Sequence, residues 1–402
     1  MQAIIRKIQG DKVIWMVVFL LSLISLLAVY SSISSLAYKA DGNSFKFLFK
    51  HFAMLALGLG VMWVVHRMKF KYFSRLSQVM FYGALIMLLV TMLFGVNFNS
   101  ATRWIRIPFI GLTFQTSDFA KIALITHLAR VLNQKRMLLH DFWNGVMPAV
   151  WPILLICALI VPSDFSTAAL LGGTCFLVLF IGGVPWQHML KLAAAGIVGL
   201  GLLFIVGLQF PRALPRVHTW INRIENFGNA EAEGNYQIDF AQVAINEGGF
   251  LPSGPGTGNS RNFLPHPYSD MIYAFIIEEY GSILGGFALL MLYMIFMYRS
   301  IRIATKTPKH FGGLLVLGLS FMLTFQALIN MAVAVNLFPT TGQPLPLVSM
   351  GGTSIVFTCL SIGMILSVSR SVYNKEEWEA ERAESGDTSG GKSETNGNYV
   401  VA

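Results

Sequence analysis

Long apolar runs separated by short polar stretches dominate the chain. A helix that crosses a bilayer needs about 20 mostly apolar residues. Such runs fall near 13–35, 45–66, 75–95, 117–134, 145–161, 166–184, 189–208, 271–298, 311–337 and 350–370. The pattern predicts an all-α integral membrane protein with about ten transmembrane helices. The first run follows a short basic N-terminus, "MQAIIRKIQGDK". It is too long for the apolar core of a signal peptide and has no clear small-residue cleavage site, so it is read as a retained span.

Composition fits this reading. The 402 residues are 54% hydrophobic and only 12% charged, whereas soluble domains carry about 25% charged residues. A net charge of +9 would suggest nucleic acid only if the basic residues shared one face. They sit in short loops between spans, so topology explains them and no nucleic-acid partner is expected. Arg67, Lys69, Lys71 and Arg75, then Arg130, Lys135 and Arg136, then Lys191, then Arg299, Arg302, Lys306 and Lys309 fall on alternate loops. Arg6, Lys7 and Lys12 share that side with Arg370 and Lys375, which makes both termini cytoplasmic.

Three regions follow: a cytoplasmic N-terminus at 1–12, a membrane domain at 13–370, and a polar tail at 371–402 expected to be disordered. On the outer side one long loop, about 209–269, holds "PRALPRVHTW" and the glycine-rich "NEGGFLPSGPGTGNS". Loops this long are usually functional or disordered. "FPTTGQPLPLVSMGGTS" reads as a rigid loop or re-entrant segment on the same side, and irregular backbone at membrane depth must be covered by protein or line a wet cavity.

Ionisable residues in or beside the apolar runs carry the candidate chemistry. Asp270, in "HPYSDMIYAFIIEEYG", stands where the long loop re-enters the membrane. It is either a general base or an N-cap, and the local sequence favours the cap. Glu278 and Glu279 lie deeper. On a continuous helix they stand about 80° and 180° round from Asp270, so they cannot both face it. Lys121, in "SDFAKIALI", is the candidate cation for one of them; Asp118 shares its face. Arg103 and Arg106 flank Trp104 in "ATRWIRI", a combination suited to a pyrophosphate or lipid headgroup or to an aromatic-belt anchor. Asp164 reads as a helix cap, and "GPGTGNS" as a flexible turn rather than a phosphate loop. Cys157, Cys175 and Cys359 read as small buried hydrophobes. No cluster has metal-site spacing, and His266 stands alone near Asp270. Physics alone leaves an enzyme acting on a lipid-linked substrate, or a transporter.

In order, "ATRWIRI", "FQTSDFAKIALITHLAR", "PSDFSTAALL", "FLPHPYSDMIYAFIIEEYG" and "QALINMAVAVNLFPTTGQPLPLVSMGGTS" resemble the motif blocks of the SEDS family (shape, elongation, division and sporulation). These are membrane-embedded peptidoglycan glycosyltransferases. The resemblance covers about residues 11–370. Thr116, Asp118, Ser269, Met271 and Met350 depart mildly from the family pattern, and the shorter Asp118 puts any distant bond in doubt. Asp270 matches the family's essential acid. The resemblance implies polymerisation of lipid II with Asp270 catalytic. It also implies substrate-binding roles for Arg103, Trp104, Arg106, Lys121, Arg212, Arg216, Ser269, Glu278 and Ser349, with Mg2+ or Mn2+ as an assisting divalent cation. Implied partners are a class B penicillin-binding protein, other divisome proteins, lipid II and membrane lipids. The first span and the polar tail look more like a division member than an elongation member, which implies the division septum of a bacterial inner membrane. A lipid II flippase, an elongation-type polymerase and a scaffold without chemistry remain the rival readings.

Overall fold

A computed structural model describes residues 9–32, 44–98, 101–106, 113–209, 215–225, 227, 236–258, 260 and 268–384. Its helices are α1 Lys12–Ser32, α2 Ser44–Arg67, α3 Lys71–Phe94, α4 Thr116–Gln134, α5 Met147–Ile160, α6 Phe165–Ile181, α7 Trp186–Gln209, α8 Pro215–Glu225, α9 Tyr236–Gly248, α10 Ile272–Tyr280, α11 Ala288–Lys306, α12 His310–Ala334 and α13 Thr353–Glu384. Each of the ten apolar runs is helical over most of its described residues. A short antiparallel sheet, β1 Val96–Phe98, β2 Ala101–Arg106 and β3 Thr113–Gln115 in that order, joins α3 to α4.

Among the described residues, eight helices are long and apolar enough to cross a membrane. Two predicted spans fall outside that set. Helix α6 has only 17 residues. Helix α4 carries Asp118, Lys121 and Arg130, yet it is buried along most of its length, packed on α3, α5, α6 and α12. A helix surrounded by protein can hold paired charges that lipid would reject. Helix α7 is the opposite case. It is strongly apolar, but only Met189 and Gly207 are buried, so its side chains face outward, as a lipid-facing helix requires.

The run expected as one helix from 271 to 298 is broken. Helix α10 stops at Gly281, whose φ of 75° lies in the left-handed region. A π-helical turn at Gly281–Phe287 leads into α11, which runs on to Lys306. A Cβ on Gly285 would meet Ile276 O at 2.6 Å, so the break is tightly packed. Helix α13 continues to Glu384, so the first part of the expected disordered tail is helical. The long outer loop likewise contains α8 and α9 rather than being structureless.

Asp11 joins three elements. Its Oδ1 accepts from Val13 N at 2.9 Å and Ile14 N at 3.2 Å, capping α1. Its Oδ2 pairs with Arg299 Nη2 at 2.6 Å and accepts from the Tyr373 hydroxyl at 3.0 Å. The start of α1 is thereby tied to α11 and α13.

Between α12 and α13, residues 335–352 are non-helical. Side chains from five helices hold this segment by its carbonyls. Arg223 Nη1 donates to Thr340 O at 2.6 Å, and Ser166 Oγ to Thr341 O at 3.2 Å. Asn330 Nδ2 donates to Gln343 O, and Gln326 Nε2 to Pro344 O, both at 2.8 Å. Tyr293 reaches Pro346 O at 2.5 Å, and Ser25 Oγ reaches Val348 O at 2.8 Å. Backbone without helical partners inside a bilayer must find others, and these side chains supply them.

Candidate active site

Asp270 lies in the turn that leads into α10. The N-cap of that helix is Met271, and no side chain caps it. The locally favoured reading of Asp270 as a cap is therefore wrong. Because Asp270 precedes the helix, the angles expected for a continuous helix do not apply either. Its carboxylate is half-buried, and Ser269 Oγ donates to Oδ1 at 2.8 Å. Oδ2 faces Gly342, where an added Cβ would come within 3.6 Å. Among the described residues the ion pairs are Lys121–Asp118 and Arg299–Asp11; Asp270 is in neither. Tyr268 stands beside it, its phenol pushed up first by burial and then by the Asp270 charge.

The turn is held from behind. Ser349 Oγ donates to Ser269 O at 2.7 Å and accepts from Leu345 N at 2.8 Å. Met350 N donates to Tyr268 O at 2.9 Å. Asn330 Nδ2 donates to Asp270 O at 2.8 Å. Ser349, expected to bind substrate, is buried and committed to the turn. Asn330 was not singled out in the sequence. Its signal, shared with Gln326, was a carboxamide inside a mostly apolar helix.

Lys121 does not reach Glu278 or Glu279. Its Nζ lies 2.8 Å from Asp118 Oδ1 and donates to Gln326 Oε1 at 3.1 Å. A cavity of about 10 Å³ adjoins the pair, and Asp118 Oδ2 has no hydrogen-bond partner there. That is about the volume one water needs. The short Asp118 is bonded one turn away, so the question of its reach to a distant partner does not arise.

The two glutamates are wrapped by the glycine-rich loop. Glu278 Oε1 accepts from Ser260 N at 3.0 Å. Glu279 Oε1 accepts from Gly256 N at 2.8 Å and from Ser31 Oγ on α1. Gly254 N donates to Glu279 O at 3.0 Å, and Ser253 Oγ to Glu278 O at 2.9 Å. A Cβ on Gly258 would lie 2.8 Å from Glu278 Oε2. "GPGTGNS" is thus a fitted clamp on buried carboxylates rather than a flexible turn. Glu278, expected at the substrate, is 2% exposed and serves this clamp.

Asp164 is a cap as expected: it accepts from Thr167 N at 3.1 Å at the start of α6. Gln343 Nε2 donates to Thr167 Oγ1 at 2.6 Å, which joins this helix start to the carbonyl-bound segment. Trp220 Nε1 donates to Ser166 Oγ at 3.1 Å. With the Arg223 bond to Thr340 O, this docks α8 of the outer loop over the same segment. Trp220 and Arg223 are three residues apart, so the helical period puts them on one face of α8. Trp220 and Arg223 escaped the sequence reading, although that spacing marks them.

Arg103, Trp104 and Arg106 lie on β2, where Trp104 is half-buried and pairs in register with Val96 and Gln115. Arg216 lies on α8. Arg212 and His266 fall outside the described residues. All three cysteines are free, with Cys175 and Cys359 buried. Among the described residues no group of three His, Cys, Asp or Glu side chains is placed to hold a metal ion.

Comparison with known proteins gives a consistent result. The family model for FtsW, RodA and SpoVE, described as "Cell cycle protein", matches residues 11–374. Stage V sporulation protein E of Bacillus subtilis (strain 168) is 30% identical over 375 residues, covering 91% of this chain and 98% of that protein. A probable peptidoglycan glycosyltransferase FtsW from Geobacter sp. (strain M18) is 29% identical over 370 residues, covering 90% and 98%. Among solved structures, a chain of a peptidoglycan synthase complex that coordinates polymerization and crosslinking has a TM-score of 0.69 at 24% identity, covering 90% of this chain and 98% of that one. The rod shape determining protein RodA of Thermus thermophilus gives 0.63 at 24% identity with the same coverage. The two structural likenesses establish the fold.

Proposed function

The chain belongs to the FtsW/RodA/SpoVE family of cell cycle proteins, and from that membership we propose that it is a multi-pass peptidoglycan glycosyltransferase that polymerises lipid II. The observation that carries the site is Asp270. It is a half-buried carboxylate with one oxygen oriented by Ser269, the other unbonded, and no cation paired to it among the described residues.

In this reading Asp270 takes the proton of the acceptor's 4-hydroxyl as that oxygen attacks C1 of the donor sugar. The O4–C1 bond forms, and the bond from C1 to the pyrophosphate oxygen breaks with its electron pair leaving on the undecaprenyl pyrophosphate. A single carboxylate base opposite the leaving group suits one inverting displacement. The leaving group is already ionised, so it needs cationic stabilisation more than a proton. Arg103 and Arg106 on β2, Arg216 on α8 and Arg212 are the proposed source, with Trp104 against the headgroup. Lys121 is withdrawn from that set because Asp118 and Gln326 occupy it. A divalent cation would find one carboxylate ligand in Asp270. Such a cation would supply charge stabilisation to the departing pyrophosphate.

The outward-facing α7 and its neighbours are surfaces on which the single span of a class B penicillin-binding protein could pack, and crosslinking would be that partner's task. A septal role with other divisome proteins, and an orientation with both termini cytoplasmic, complete the reading.

The test is lipid II polymerisation by the purified protein with its partner. Asp270→Asn should lower the rate by on the order of 10²–10⁴-fold, the usual contribution of a general base, with an unchanged unfolding midpoint. A folded Asp270→Asn protein that polymerises normally would sink the assignment. Lipid II transport by a wild-type protein that cannot polymerise would favour the flippase instead.

A further inference from the structure

A second cavity lies far from Asp270. Asn330, which holds Asp270, is 20 residues along α12 from His310, or about 30 Å at 1.5 Å per residue. At that other end the first turns of α3 and α12 and the last turn of α4 line an open pocket of about 420 Å³. Lys71, Ser74, Arg75, Asn133, Lys309 and His310 are among the lining residues, and no Asp or Glu is.

Three features of this cavity favour an anion. Helices α3 and α12 both begin at it, and neither has a side-chain cap or an acidic residue in its first turn. Uncapped N–H groups and the positive helix end attract phosphates. Lys71, Arg75 and Lys309 add cations without a carboxylate among them. Lys309 is pushed down first by burial and then by the neighbouring Lys71 ammonium, which faces the same pocket. The Arg75 wall is also fixed, because Arg130 Nη1 donates to Ser74 O at 2.7 Å.

One further feature favours a lipid over a free ion. Tyr72, Leu76 and Val79 are exposed on α3 directly beyond Lys71. Their spacing of four and three residues makes a continuous apolar stripe. It leads from the cavity along the flank of a span.

We infer that this cavity binds the phosphate of an anionic phospholipid headgroup, with an acyl chain along the Tyr72, Leu76 and Val79 stripe. The size fits, since small-molecule pockets span about 300–1,000 Å³. Basic pockets between spans are a common form of lipid site.

Native mass spectrometry of the full-length protein, delipidated in detergent and titrated with phosphatidylglycerol or phosphatidylcholine, tests this. Wild type should retain phosphatidylglycerol preferentially. K71Q/R75Q/K309Q should lose retention by about fivefold per charge removed, while R302Q/K306Q, which alters basic residues outside the cavity, should not. K309Q alone, at an exposed position, should show one such step, which keeps the test valid should the triple variant misfold. Equal retention of both lipids, or unchanged retention in K309Q, overturns the proposal. Displacement of phosphatidylglycerol by millimolar inorganic phosphate would assign the site to a free anion and overturn the lipid.

Discussion

The side-chain amide of Asn330 donates to the main-chain carbonyl of Asp270 across 2.8 Å, and the same nitrogen donates to Gln343 O at 2.8 Å. One residue in the interior of α12 thus fixes both the proposed base and the segment facing it. Asn330→Ala leaves two carbonyls without this donor, at about 1–3 kcal/mol for each that stays buried and unpaired. A shift of about 1 Å in a catalytic group can lower turnover by about 10²-fold. The variant is therefore expected to lose kcat in lipid II polymerisation by ten- to a hundredfold, with a smaller effect on KM. Equal loss in kcat and in the folded fraction would reduce Asn330 to a purely structural role.

Lys121 and Asp118 form a buried pair whose partners are all within the protein. Lys121→Met strands the Asp118 carboxylate, and breaking a buried pair on one side costs about 3–5 kcal/mol. Replacing both, as D118L/K121M, should restore much of that stability. Unfolding in detergent across the double-mutant cycle measures the coupling, and additive losses would contradict the pairing.

Gly248 packs against the turn of α10 that bears Glu278. A Cβ there would lie 2.2 Å from Ile277 O and 2.7 Å from Glu278 Cα. Both atoms belong to the backbone and cannot swing aside. Gly248→Ala should destabilise the clamp by at least the ~1–3 kcal/mol typical of overpacking. Gly60, on α2, has open space around it, and Gly60→Ala should be neutral or slightly stabilising. Comparable unfolding midpoints for the two variants would refute the close approach.

Asp141 precedes the π-helical turn at Phe142–Val146 and accepts from Trp143 N at 2.9 Å and Asn144 Nδ2 at 2.6 Å. The Asn144 side chain first, then the Asn144 and Trp143 amides, hold its carboxyl below its ordinary value of 3.8. A depressed carboxyl stabilises the fold above its unfolded value and loses that contribution as pH falls through the folded one. Amide protection at Trp143 and Asn144 should therefore persist from neutral pH to about 4 and decline only below it. Hydrogen exchange measured with Asp141→Ala as reference checks this. Protection that fades already near pH 6 would point to a different group.

The sequence alone determined the membrane class, the ten helical runs and the positions of the chemistry-bearing residues. Apolar length and the placement of charge are local properties, and both survive translation into three dimensions. Asp164 as a cap was legible for the same reason, since a cap acts within one turn. The partners of the buried polar groups were not legible. Lys121 had two acids at suitable depth and took Asp118, because α4 and α12 pack so that Gln326 completes its bonds. Glu278 and Glu279 took backbone N–H groups from a loop that composition alone marked as flexible. Asp270 was moved off the helix it was expected to cap by a turn bonded to Asn330 and Ser349, 60 and 79 residues further along the chain. In a bilayer every buried polar group must find a partner within the protein. Which partner it finds depends on how the helices pack, and packing was decided only by the tertiary structure.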